Sequence, residues 1–283
     1  MCLVTHTQLQ EKSRDNILLF SDALVLAEQW DVDLIEVERA ALAQNIWPEC
    51  YLRHQNIFST VQQLQLLNST VALIGCGGLG GQVFEGLIRL GVGRILAIDP
   101  DRFAAHNFNR QLLCTVEELG RFKVEAAVRR AHSVNPAIKV IPFPLAFSPV
   151  IHEKVRQVKV VIDCLDSVVD RLELAEFCRT SQIPLVHGAV EKWFGQIGVQ
   201  KERELIKALY QKIPLHDKTT SSSVLSCTVA AIASLQVAET IKLLLNLNSP
   251  LIDNWKSVDL LSCEIEEIGS LASNGKSENK IHL

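Results

Sequence analysis

The chain has 283 residues, 48% of them hydrophobic, enough to bury a sizeable core and to exclude wholesale disorder. Its formal net charge of −4 argues against broad attraction to nucleic-acid phosphates or anionic lipid. The longest apolar stretches are broken by Gly, Asp or Lys short of a membrane span, so neither DNA nor a membrane is an expected partner.

The first residues, MCLVTHTQLQEKSRDN, lack a charged leader followed by an apolar run, and no secretory segment is expected. Eight cysteines are scattered along the chain without a C-x-x-C pair and read as reduced thiols of a cytoplasmic protein. Residues 1–48 read as a helical N-terminal extension. Between Ser21 and Leu42 apolar positions recur at helical spacing, and Asp31–Asp33 should split them into two short helices. A DNA-reading helix pair would want basic residues, yet the stretch up to Pro48 holds 8 acids and 3 bases. A packing or dimer-contact appendage is the expectation.

Residues 49–272 read as one α/β domain. Thr70–Ile74 and Arg94–Ile98 are short apolar strands on either side of a helix, Gly80–Leu90, with Gly91 as its C-cap. A helix over Lys123–Ser133, strands Ile138–Pro142 and Val158–Ile162, a helix Arg171–Gln182 and a strand Pro184–His187 follow. Such alternation predicts a Rossmann-type, mostly parallel sheet with helices on both faces. Trp193–Gln200 should be another strand, and Lys201–Ser222 a charged loop. Val224–Leu245 reads as a long helix with Cys227 buried in its first turns, and Leu251–Ile268 as a C-terminal sheet extension. The last residues, 273–283, read as a disordered tail.

Gly75-Cys76-Gly77-Gly78-Leu79-Gly80 matches G-x-G-x-x-G between a predicted strand and helix. Missing side chains let a phosphate approach the backbone, and the helix N-terminus offers free N–H groups to the anion. Asp99 ends the next strand, where an acid can accept hydrogen bonds from ribose hydroxyls. Nucleotide binding follows, but these residues alone leave NAD and ATP open.

Residues 71–111, VALIGCGGLGGQVFEGLIRLGVGRILAIDPDRFAAHNFNRQ, resemble the nucleotide site of ThiF, MoeB and HesA proteins, relatives of the ubiquitin-activating enzymes. The markers are the GCGGLG loop, Gly91-Val92-Gly93, the Asp99-x-Asp101 pair and the box Asn107-x-x-Arg110-Gln111. The resemblance continues through Gly120-Arg121-Phe122-Lys123, Asn135-Pro136, Asp163-Cys164-Leu165-Asp166 and Ser234-Leu235-Gln236, covering about residues 50 to 260.

That resemblance implies an adenylyltransferase that uses ATP and Mg²⁺ to activate the C-terminal glycine carboxylate of a small β-grasp sulfur carrier ending in Gly-Gly. It implies Arg110 and Lys123 as cations on the triphosphate and Asp166 as the Mg²⁺ carboxylate. Gly75, Gly77, Gly78 and Gly80, with Asp99 and Asp101, would hold phosphates and ribose. His106, Asn107, Phe108, Asn109 and Ser167 would line the nucleotide. Tyr51-Leu52-Arg53-His54-Gln55 resembles the family segment whose arginine reaches the ATP of a partner subunit, which implies a homodimer with Arg53 acting across it. Cys50 stands where the family pattern has its first arginine.

The chain departs from the family in two places. It has no C-x-x-C pair, so the four-thiolate zinc site of many relatives is not expected. Residues 201–222 contain no cysteine, so the chemistry should stop at the acyl adenylate and leave the sulfur to a separate donor. Other readings are adenylation of a peptide or tRNA-linked carboxylate, an NAD(P)-dependent oxidoreductase, and a catalytically silent nucleotide-binding partner. The oxidoreductase would leave Lys123 and Asp166 without a role.

Overall fold

The computed structural model describes residues 2–210 and 223–267. The tail expected over 273–283, and the 211–222 half of the expected charged loop, lie outside the described residues.

The extension contains helices α1 (Cys2–Lys12), α2 (Phe20–Trp30) and α3 (Leu34–Ala43), with strands β1 (Ile17–Leu18) and β2 (Trp47–Pro48) paired in parallel. The break between α2 and α3 falls at Asp31, whose left-handed backbone caps α2. Leu26, Val37, Leu42 and Ile46 form a small core that shares Tyr51, Leu67 and Ala137 with the rest of the chain.

The main body runs α4 (Thr60–Leu67), β3 (Thr70–Ile74), α5 (Gly78–Leu90), β4 (Arg94–Ile98), α6 (Lys123–Val134) and β5 (Lys139–Phe143). It continues with α7 (Pro149–Val155), β6 (Val160–Asp163), α8 (Val168–Thr180), β7 (Leu185–Glu191), β8 (Phe194–Gln200) and α9 (Leu205–Tyr210). Helix α10 (Ser226–Leu244) and strands β9 (Asn254–Asp259) and β10 (Glu264–Glu267) complete it. The sheet order is β10-β9-β8-β7-β6-β3-β4-β5. Strands β7, β6, β3, β4 and β5 are parallel, and β8, β9 and β10 extend the sheet antiparallel.

Alternation within each strand builds the two faces. Val71, Leu73, Ile95, Ala97, Val160 and Ile162 pack against α5, α6 and α10. Ala72, Ile74, Leu96, Ile98 and Val161 pack against α7, α8 and α9. Full burial of one such aliphatic side chain stabilises by about 1.5–3 kcal/mol, so these two layers dominate the fold. Chain order reverses between β3 and β6, which opens a crevice beyond their C-terminal ends, the place where open α/β sheets bind ligands.

Several expectations are corrected. Helix α5 begins at Gly78 rather than Gly80, so the second half of the glycine motif is already helical. Residues 205–210, expected as loop, form α9, because Leu205, Ile206 and Leu209 are buried. Cys227, expected to be buried, is exposed, because α10 buries Thr228, Val229 and Ile232 and leaves position 227 on the outward side. Helix α10 has the length and apolarity of a membrane span, but 56% of its apolar window is buried within the fold, against α5 and the sheet.

Among the described residues both sheet edges are polar or interrupted. All four residues of β10, three of them glutamates, are exposed, and β5 carries Pro142.

One buried acid offers a stability test. Glu38 on α3 is 2% exposed, its carboxyl lies against the Tyr51 hydroxyl and the Cys50 thiol, the latter 3.6 Å from Oε1, and Oε2 has no partner among the described residues. Burial pushes its carboxyl up to about 7. A folded-state value above the unfolded one means the native chain binds the proton more tightly, so stability falls as pH rises from about 4.5 to 7 and then levels off. The cost at pH 8 is about 3 kcal/mol. Glu38→Gln is therefore expected to melt about 5 °C higher than wild type at pH 8, and at nearly the same temperature at pH 5. Thermal unfolding at the two pH values checks this, and an unchanged pH slope would remove Glu38 from the account.

Candidate functional site

The glycine loop leaves β3 at the switch point. Gly75 has φ +94°, and a Cβ there would lie 2.6 Å from the carbonyl oxygen of Cys164, in the turn after β6. At Gly80 a Cβ would lie 1.8 Å from the oxygen of Gly75, so helix α5 starts directly against the loop. These two close approaches require glycine. Gly77 faces the Gln111 side chain, and Gly78 lies between Val229 of α10 and the Arg110 stem, at 3.5 and 3.8 Å from the position a Cβ would take.

On one flank, Asp99 at the end of β4 ties the loop down. Its Oδ2 accepts from the Cys76 N–H at 2.6 Å, and its Oδ1 from the Asp101 N–H at 2.8 Å. Lys123, the first residue of α6, is buried with its Nζ 2.9 Å from Asp101 Oδ2 and 4.0 Å from Asp99 Oδ2. Burial pushes the Asp99 carboxyl up, while Lys123 and the two N–H groups pull it down, with burial the stronger. Asp99 thus spends one oxygen on the loop and the other on its own turn, each with a further lone pair to offer a ribose hydroxyl. The Asp101 side chain is 63% exposed, so its pairing with Lys123 can yield to a bound anion.

The box residues follow on the same flank. Asn107 is buried, its Oδ1 accepting from the Ala104 N–H at 3.0 Å, which shapes the turn. That turn leaves His106, Phe108 and Asn109 exposed. Arg110 Nη1 donates to the His106 carbonyl at 3.1 Å and to Asn109 Oδ1 at 2.9 Å, so a neutral cradle holds the guanidinium while its stem passes Gly78.

On the other flank stands the turn after β6. Asp166 is exposed and has no hydrogen-bond or ion-pair partner among the described residues. Ser167, not Asp166, caps α8, accepting from the Asp170 N–H at 3.4 Å. The Asp166 carboxylate is therefore free for a ligand. Mg²⁺ takes one or two carboxylates plus phosphate oxygens and water, and a lone free carboxylate at the mouth of the crevice suits that donor set. Among the described residues no three His, Cys, Asp or Glu side chains cluster as an all-protein metal cage.

Arg53 is not brought to this site by its own chain. It is exposed on the short 3₁₀ turn Glu49–His54, next to Tyr51. The Tyr51 ring packs at Gly91, the C-cap of α5, and its hydroxyl accepts from Asn135, the C-cap of α6. The glycine loop lies at the other end of α5, and a helix of 13 residues is about 20 Å long.

One residue outside the expected set joins the site. Gln111 is buried beside Gly77 with its Oε1 unpartnered. Its place directly after Arg110 in the box was the available signal.

A profile of the ThiF family matches residues 51–278. The sulfur carrier protein adenylyltransferase of Thermus thermophilus is 29% identical over 217 residues, which are 73% of this chain and 80% of that protein. The SAMP-activating enzyme E1 of Haloferax volcanii is 32% identical over 190 residues, 65% of this chain and 70% of that one. Among solved structures, Escherichia coli MccB with ATP superposes with a TM-score of 0.66 at 20% identity, over 77% of this chain and 70% of MccB, a likeness of fold.

Proposed function

This chain belongs to the ThiF family, and we propose on that premise that it adenylates the C-terminal carboxylate of a ubiquitin-like sulfur-carrier protein. The observation that carries the reading is the free Asp166 carboxylate set across the glycine loop from the buried cation of Lys123. A dehydrogenase site has no use for that pair, whereas a reaction between a carboxylate and a triphosphate requires charge to be neutralised on both sides.

In this reading the triphosphate lies on the N–H groups of Gly77–Gly80 at the start of α5. Lys123 exchanges Asp101 for phosphate oxygen, and Arg110 covers the outer phosphates. Asp99 receives the ribose. Asp166 would hold Mg²⁺, which when bound offsets triphosphate charge. A glycine carboxylate oxygen of the carrier attacks the α-phosphorus, the bond to the bridging oxygen breaks, and pyrophosphate leaves with its electron pair. The product is the acyl adenylate, passed to a separate sulfur donor. Arg53 serves the site of a second copy in a homodimer, a reading supported by its distance from its own loop. The cytoplasm is the expected location, in keeping with seven free cysteines among the described residues.

Carrier-dependent exchange of labelled pyrophosphate into ATP tests the reaction. The protein, Mg²⁺, ATP and a β-grasp protein ending in Gly-Gly should give label in ATP, and omission of the carrier should remove it. NAD binding without exchange would sink the proposal.

A further inference from the structure

Beneath the Asp166 turn lies a buried polar cluster that the mechanism does not use. Asp163, at the end of β6, is fully buried, as is His187 of β7, and Arg171 of α8 is 5% exposed. Asp163 Oδ2 sits 2.7 Å from His187 Nδ1 and 3.3 Å from Arg171 Nη1. Arg171 Nη1 also donates to the Gly188 carbonyl at 2.8 Å, and the Tyr210 hydroxyl at the end of α9 lies 3.3 Å from His187 Nε2.

The arrangement fixes the protonation pattern. Burial holds the His187 imidazole below its usual value, against the pull of Asp163, so the ring is neutral. A neutral ring donates Nδ1–H to Asp163 and accepts the Tyr210 hydroxyl at Nε2. The cluster then carries one negative and one positive charge, both paired. Its proton donors and acceptors are spent on one another, so it does not act as an acid–base relay on substrate.

Its remaining bonds go to the backbone that carries Asp166. Arg171 Nη2 donates to the Leu165 carbonyl, and Asp163 Oδ1 accepts from the Leu165 N–H at 3.0 Å. Both backbone polar groups of Leu165, the residue before Asp166, are therefore gripped by one buried ion pair. The Asp163 carbonyl is held by Gln236 of α10 at 2.8 Å, and the Cys164 N–H donates to Ile74 of β3 at 2.9 Å. Asp166 in turn lies within the field of the Arg171 charge.

We infer that Arg171 is a positioning residue for Asp166: paired with Asp163 and backed by His187 and Tyr210, it fixes the Leu165 peptide so that the exposed carboxylate meets a nucleotide-bound metal. This rests on the proposed adenylation site. A lysine at 171 keeps the charge opposite Asp163 but has one nitrogen, and it cannot span Asp163, Gly188 and Leu165 together. Tyr210→Phe keeps the ring and removes the bond to His187.

The test reads metal binding rather than turnover. Mn²⁺ bound in the presence of a non-hydrolysable ATP analogue is followed by electron paramagnetic resonance, and the analogue's affinity in EDTA is measured separately. For Arg171→Lys the Mn²⁺ concentration at half-saturation is expected to rise about tenfold, with the EDTA affinity unchanged within about twofold. Tyr210→Phe should move it the same way by about threefold. Unchanged Mn²⁺ saturation in both variants overturns the inference. So does an equal loss of analogue affinity in EDTA, which marks general damage to the site, or wild-type binding that ignores the metal. Failure of carrier-dependent exchange in wild type would instead count against the adenylation reading, since the metal titration needs no carrier.

Discussion

Asp166→Asn is expected to lower carrier-dependent pyrophosphate exchange by at least about 10³-fold while leaving thermal unfolding within about 2 °C of wild type. The two halves of this expectation come from one geometric fact. The carboxylate is exposed and has no hydrogen-bond or ion-pair partner among the described residues, and Ser167 rather than Asp166 caps α8. Surface substitutions away from caps and buried networks cost about 0.5 kcal/mol or less. Asparagine keeps the shape and loses the charge, so the loss falls on metal and phosphate rather than on packing. Near-normal exchange would remove Asp166 from the mechanism.

The same variant tests the proposed dimer. In a mixture of Asp166→Asn and Arg53→Ala subunits, each mixed dimer rebuilds one intact site, joining Asp166 from one copy with Arg53 from the other. Random reassortment would restore about a quarter of wild-type exchange. No recovery after verified subunit exchange would count against a shared site.

The second large effect is expected at Lys123. Lys123→Met should lower exchange by on the order of 10²–10³-fold, the typical cost of removing one preorganised donor from a developing anion. It should also destabilise the apo protein, unlike Asp166→Asn. Lys123 is 5% exposed and is the cation drawing the Asp99 carboxyl down against burial. Without it, the Asp99 carboxyl moves further up and the native state binds its proton more tightly. Stability then declines as pH rises, so the melting deficit should be largest near pH 8 and shrink toward pH 5. Thermal unfolding across that range checks the sign; a deficit that grows on acidification would contradict the pairing. Lys123→Arg, which retains the charge, should show a smaller deficit.

The parallel body of the fold was legible because its strands are apolar runs closed by glycine turns. Thr70–Ile74 and Arg94–Ile98 are observed with those limits. What was missed lacked that contrast. Helix α4 is short, and its signal was the Ser59-x-x-Gln62 capping box, which the structure contains in full. Helix α7 follows Ser148 with Pro149 at its first position, a start signal without a strong apolar stripe behind it. Helix α9 hides in a charged stretch, since only one face of six residues is apolar.

At the site, the glycine loop, Asp99, Lys123 and Asp166 could be singled out because each sits in a local motif. Of the Asp163–Arg171–His187–Tyr210 cluster only Asp163, in the Asp163-Cys164-Leu165-Asp166 motif, could. The cluster's members come from four elements and meet only when β6, β7, α8 and α9 pack together. The exposure of Cys227 was equally invisible, because a one-residue shift around α10 decides which side it takes.

The two guarded sheet edges bear on how copies of this chain can associate. An open strand invites another strand to continue its ladder, and long apolar edges polymerise. Here Pro142 withholds an N–H at one border, and Glu264, Glu266 and Glu267 confront any identical strand with like charge at the other. Two copies laid edge to edge at β10 would bring six carboxylates together along the shared border. Among the described residues neither border of the eight-stranded sheet invites a further strand, which favours the helical faces over the sheet edges as contact surfaces.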